Sequence, residues 1–243
     1  MPLQHFLAHY LNLLLGRPAT WLMDLVGHPP LNPAKPISGV FTMEIVAFLI
    51  LLLFFIIVRS TLQVEKPGVA QQLAEMAEEF VTSQTEPIIG EKYSIYLAFL
   101  TALILFVVVN NLLGLIPDVE TPTSSPIVPL GLALITFLYY HLQGLRWNKG
   151  GYVKQFLGPL WWIAPLMLPI ELISHLARIL SLTIRLFANM FASDLLILIF
   201  FSLFPLILPL PFIGLHLAVS LIQAYVFMLL ASIYIGQAVA HEH

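Results

Sequence analysis

The chain has no cysteine, so disulfides, thiolate chemistry and cysteine-ligated iron–sulfur clusters are excluded. Charge is almost as scarce. Only 9% of the 243 residues are Asp, Glu, Lys or Arg, where a soluble domain carries about 25%. The net charge of −3 gives no basis for nucleic-acid binding. A phosphate-binding loop of the GxxxxGKS or GxxxxGKT form is also missing, so no nucleotide chemistry belongs to this chain. What abounds is apolar: 59% of residues are hydrophobic, and the mean hydropathy is +0.93. These features describe an all-α integral membrane protein. We expect an extramembrane segment at 1–40, with a short interfacial helix around Phe6–Leu15, and one membrane domain at 41–243.

Long apolar runs mark five crossings: Phe41–Val58, Ser94–Ile116, Ile127–Leu142, and two longer helices, one from Pro169 to Pro205 and one from Phe212 to about Val239. Between the first two, Val69, Leu73, Met76, Ala77, Phe80 and Val81 recur at intervals of three and four, with Glu75, Glu78 and Glu79 between them. That predicts an amphipathic interfacial helix over 67–87 whose acidic face suits a protein partner better than anionic lipid. Basic residues set the topology. Arg59, Lys66 and Lys92 flank one loop, and Arg146, Lys149 and Lys154 another, whereas the loop at 117–129 has none. The first two loops are expected inside and the third outside, with the N-terminus outside and the C-terminus inside. Trp147, Trp161 and Trp162 suit the inner interface.

The stretch from Pro169 to Pro205 organises the rest. No proline or glycine lies between its ends, so it predicts one helix roughly 50 Å long, against a hydrocarbon core of about 30 Å. Glu171, His175, Arg178, Arg185 and Asn189 fall within about 40° of one line along it at 100° per residue. Asp194 lies off that line. Ionisable groups at lipid depth cost about 2.5–3.5 kcal/mol on insertion scales and usually mark an ion path; a buried salt-bridge seam between helices is the plainer alternative. On the last helix His216, Ser220, Gln223 and Tyr234 form a second polar line. We therefore expect a strongly tilted hairpin of long helices in which Glu171 and His216 approach one water-accessible cavity.

The residue types suit a proton path. Histidine titrates near neutrality, and a buried glutamate can be shifted toward it. Gln223 and Asn189 can order water. Arg185 cannot carry a proton, because a guanidinium stays charged. It acts as a fixed cation, and Glu171 is about 21 Å away along the axis, which points to a partner carboxylate on another subunit.

Three stretches carry a family resemblance. SLTIRLFANMFASDLL at 181–196 resembles the signature of subunit a of the F-type ATP synthase. LHLAVSLIQAYVFMLLASIYIGQA at 215–238 is similar to that family's last helix, and NNLLGLIP at 110–117 to its second-span motif. Ala188 and Ser193 stand where glycine is usual, and Asp194 where a longer Glu or a His is common. The resemblance implies a proton-translocating stator with two half-channels, lying beside a ring of c-subunit proteolipids and held by peripheral-stalk b subunits. It implies that Arg185 faces the c-subunit carboxylate, and that Glu171, His216, Gln223, Asn189 and Asp194 belong to the proton path. It brings no cofactor and no metal, and places the chain in a lipid bilayer, with a bacterial plasma membrane favoured over an organelle membrane. Two other classes were weighed. A self-contained proton- or ion-coupled transporter predicts interrupted spans and internal repeats, which are not found. A haem- or quinone-binding respiratory subunit would need more than His175 and His216 as ligands.

Overall fold

The computed structural model describes residues 3–25, 35–90, 92–116, 119–148, 152, 164–203 and 209–239. Seven α-helices and one 3₁₀ turn account for the elements among them, and no strand occurs there. In order they are α1 (Leu3–Leu25), α2 (Gly39–Ser60), α3 (Val69–Ile89), α4 (Ser94–Leu113), the turn Pro122–Ser124, α5 (Ile127–Asn148), α6 (Ala164–Leu203) and α7 (Pro209–Val239). Five of them, α2 and α4 to α7, are long and apolar enough to cross a membrane. The expected spans thus stand, with ends moved by a few residues. Lys149, Lys154, Trp161, Trp162, Asp118 and most of the turn between the last two helices lie outside the described residues.

Local chemistry sets several ends. Ser38 caps α2 by accepting a hydrogen bond from the Phe41 amide at 3.2 Å, and Arg59 occupies the last turn, where a cation suits the helix dipole. Two helices run past prolines expected to bound them. Pro87 lies inside the last turn of α3, and Pro169 inside α6, which begins at Ala164. Each proline removes one backbone donor near a helix end, where few bonds are lost. At 40 residues, α6 is about 60 Å long, so it must tilt to remain within a bilayer.

The N-terminal segment is longer and better anchored than the short helix expected at 6–15. In α1, whose helix contains Pro18, the Asn12 side chain donates to the Ile37 carbonyl and accepts from the Ile37 amide, both at 2.9 Å. Gln4 is buried and accepts from the Glu120 amide at 3.1 Å. These bonds tie α1 to the start of α2 and to the loop after α4.

The core is built around α7, which packs against α3, α4, α5 and α6. Leu100, Val107, Leu186, Met190, Phe227 and Met228 are buried there. By contrast, α6 buries one edge only. His175, Ile179, Leu182, Leu186, Met190 and Ser193 face the bundle, while Leu172, Ile173, Leu176, Leu180, Ile184 and Phe191 are exposed. α6 and α7 form an antiparallel pair: Arg178 lies over Tyr234, Asn189 meets Gln223, and Ser193 meets His216.

Candidate functional site: two polar clusters on one helix

The polar residues of α6 fall into two groups about 35 Å apart along the axis, the distance from Glu171 to Asp194 at 1.5 Å per residue. The expectation that Glu171 and His216 share a cavity is therefore not met. In a hairpin, a residue just after the turn meets one just before it. His216 begins the third turn of α7, so it faces Ser193 and Asp194, not Glu171.

The first cluster lies at the Pro122–Ser124 end. His216 is fully buried. Its Nε2 lies 3.1 Å from the Asn111 carbonyl oxygen, which can only accept, so Nε2 carries a hydrogen. Its Nδ1 lies 2.8 Å from Ser193 Oγ and 3.3 Å from Asp194 Oδ1. Ser193 Oγ has one hydrogen and two claims on it: Nδ1, and the Met190 carbonyl at 3.0 Å. When Ser193 donates to His216 the ring is neutral. When Ser193 donates to Met190, Nδ1 donates instead, and the resulting imidazolium has Asp194 as its counter-ion. The same heavy-atom geometry thus holds the ring with or without an extra proton.

The surrounding bonds fix that geometry. Thr121 donates to Asp194 Oδ1 at 2.8 Å. Thr123 donates to Asn111 Oδ1 at 2.6 Å, and Asn111 Nδ2 reaches the Ser220 carbonyl at 3.2 Å. Asn111 lies near the end of α4, and its backbone carbonyl also meets His216. Gly114 is required here: a Cβ would overlap the Thr121 side chain and come within 3.4 Å of His216 Nε2. One helical turn nearer Arg185, Asn189 Nδ2 donates to Gln223 Oε1 at 2.8 Å. Gln223 Nε2 is buried and finds no acceptor among the described residues, so it can donate to water.

The second cluster lies at the other end, beside the α5–α6 connector. Glu171 Oε1 is 3.4 Å from His175 Nε2, and the Tyr140 hydroxyl is 3.0 Å from His175 Nδ1. With Arg178, Tyr152 and Tyr234 they line a cavity of about 210 Å³, roomy enough for water. Tyr152 reaches in from the connector, buried, with its hydroxyl 2.9 Å from His141 Nδ1. Burial pushes the Tyr152 phenol up to about 12, against the pull of the Arg178 guanidinium, so the phenol keeps its proton near neutral pH. Gly144 makes the insertion possible, since a Cβ there would lie 2.5–2.9 Å from the Tyr152 ring.

Arg185 stands between the clusters, about 21 Å from Glu171 and 13.5 Å from Asp194 along the helix. It is exposed. Its guanidinium lies 3.4 Å from Ser181 Oγ, one turn away, and among the described residues no carboxylate forms an ion pair with it. It sits on the flank of α6 next to the uncovered apolar face.

Several participants were not singled out from the sequence, Tyr140 and Thr123 among them. Thr121 and Tyr152 come from loops, where no periodicity points to them. His141 lies near the end of a span and signals itself as a third membrane histidine, so the histidine count set against haem was one short. Among the described residues, however, no group of three or more His, Asp or Glu is arranged to hold a metal ion.

Comparison with known proteins agrees with this geometry. The family model described as ATP synthase A chain matches residues 40–236. ATP synthase subunit a of Koribacter versatilis is 50% identical over 244 residues, covering 100% of both chains. That of Solibacter usitatus is 44% identical over 223 residues, 91% of this chain and 95% of the relative, and that of Geobacter sulfurreducens is 41% identical over 193 residues, 79% and 84% respectively. An integral membrane chain matched along its whole length, with a lone arginine between two polar clusters on its longest helix, belongs to the ATP synthase A chain family.

Proposed function

We propose that this chain is the stationary proton-conducting subunit of a rotary F-type ATP synthase, and that its two polar clusters belong to two half-channels opening to opposite sides of the membrane. The observation that carries this reading is Arg185: exposed, unpaired with any carboxylate among the described residues, and placed between the clusters beside an apolar face. Such a cation at lipid depth calls for an anion brought by a neighbour. The neighbour is a c-ring of small proteolipids, each with a mid-membrane carboxylate, running along the uncovered face of α6. Peripheral-stalk b subunits keep this chain from turning with the ring.

Protons enter from outside through the Asp194–His216 cluster and pass Asn189 and Gln223 to a ring carboxylate. The neutralised acid moves into lipid. After nearly a full turn it returns on the other flank of Arg185 and releases its proton toward Glu171 and the inside. Arg185 keeps the intervening site positive, repels a hydronium ion and so blocks direct leakage between the paths. Each proton crossing 100 mV supplies about 2.3 kcal/mol to rotation. The basic loops at 59–92 and 146–154 support a cytoplasmic side for the Glu171 end, in what we take to be a bacterial plasma membrane. Lys92 and Trp147, from those two loops, meet with the ammonium 3.9 Å from the ring, which supports a common side.

The test is Arg185→Ala in the assembled enzyme. Proton-driven ATP synthesis should be lost while the complex still assembles; full synthesis refutes the assignment. In liposomes the isolated chain should not conduct protons, because the carrier carboxylate is absent. Robust conduction would favour a self-contained transporter.

A further inference from the structure

The histidine of the inner cluster has contacts at both ring nitrogens. His175 is buried. One nitrogen lies 3.0 Å from the Tyr140 hydroxyl, the other 3.4 Å from Glu171 Oε1. The Glu171 carboxylate can only accept, so Nε2 carries the hydrogen directed at it, and in the neutral ring Nδ1 accepts from the Tyr140 hydroxyl. The donor, the ring and the acceptor follow one another in a line on the wall of the 210 Å³ cavity. Glu171 is the more exposed end, with 35% of its side chain accessible against 9% for His175.

The surroundings hold the ring in that orientation. From α6, Glu171 and Arg178 face the cavity. From α5, Tyr140 and His141 face the imidazole, the His141 ring edge-on with centroids 4.8 Å apart. From the connector, Tyr152 bonds to His141. From α7, Tyr234 closes the wall, with the Arg178 guanidinium 5.0 Å from its ring. A seam serving only stability would have no need of a titratable ring bridging a donor and an acceptor beside an open cavity.

We propose that His175 is a proton-carrying residue of the inner path, handing protons between the Tyr140 hydroxyl and the Glu171 carboxylate. This rests on the half-channel reading above. In the outward-to-inward direction the Tyr140 O–H passes its proton to Nδ1 as its oxygen takes one from a hydronium ion formed where the c-ring carboxylate releases its proton. The imidazolium releases the Nε2 proton to Glu171, which becomes the neutral acid and then gives that proton to water. The ring recovers its first tautomer by exchange with water. One proton is taken up and one released, with no other change. During ATP hydrolysis the sequence runs in reverse.

The experiment uses the whole enzyme in inverted membrane vesicles, where the inner path opens to the bulk buffer. Initial rates of ATP-driven proton pumping are measured against bulk pH, with the amount of assembled complex as the control. His175→Gln, which keeps polarity but cannot titrate, should lower pumping about tenfold, less than a full general-acid loss because water remains as a bypass, and should flatten the pH profile. His175→Ala should regain pumping when imidazole is added to the buffer, which a purely structural role would not allow. A pumping rate within twofold of the unsubstituted enzyme with the same pH profile, or a loss that imidazole does not restore, overturns the proposal. If the His175 variants do not assemble, Tyr140→Phe carries the test: slower pumping supports the relay, and an unchanged rate and profile overturns it. Arg185→Ala is measured in parallel. If it is inactive while the His175 variants pump normally, only the relay fails; if it is fully coupled, the half-channel reading itself fails.

Discussion

The two ends of α6 handle polar groups in opposite ways. At the Pro122–Ser124 end, His216 is sealed by direct bonds to Asn111 and Ser193, with Asp194 beside it and Thr121 behind. At the connector end, His175 bridges Tyr140 and Glu171 on the rim of a cavity. A sealed cluster depends on every member, because a lost partner leaves another buried group unsatisfied, at about 1–3 kcal/mol. A cluster that opens on a cavity is more tolerant, because water can replace a missing group. The two clusters should therefore differ in their sensitivity to substitution.

The largest effect should come from the sealed end. His216→Ala and Asp194→Ala should each reduce proton-driven ATP synthesis on the order of 100-fold, within the range for losing a proton-transfer group, as read from synthesis rates in energised vesicles. Gly114→Val comes next. Its side chain overlaps Thr121, and overpacking of about 1–3 kcal/mol should lower the thermal stability of the assembled subunit as well as synthesis. Thr121→Val removes one bond to Asp194, worth about 1 kcal/mol, and should slow synthesis several-fold without affecting assembly. The smallest effect belongs to Tyr152→Phe, where cavity water can replace the hydroxyl, and synthesis should fall by about twofold at most. If Tyr152→Phe were as damaging as Thr121→Val, the contrast between the ends would be lost.

Much of this was legible in the sequence, and the part that was not has a physical cause. Hydropathy located all five spans, and a 100° period put Glu171, His175, Arg178, Arg185 and Asn189 on one flank of α6. Periodicity reports the face of a helix but not which residues of a neighbour lie at the same height. Pairing Glu171 with His216 failed for that reason, although counting outward from the Pro205–Pro211 turn sets His216 opposite the stretch near Phe200, far from Glu171. Asp194 looked out of line because only one flank of α6 was being read. The 3₁₀ turn and α7 bring Thr121 and His216 to its other side. Tyr152 was out of reach for a different reason: a loop residue is placed by tertiary contact, here through the gap left by Gly144.

The central claim is that Arg185 separates two aqueous paths that open on opposite sides. The absence of cysteine permits a direct test. Glu171→Cys and Asp194→Cys are introduced singly into assembled enzyme, and each is treated with a membrane-impermeant thiol reagent from one side of the vesicle at a time. The account predicts labelling of Glu171→Cys from the cytoplasmic side alone and of Asp194→Cys from the opposite side alone. Labelling of both from the same side would contradict it.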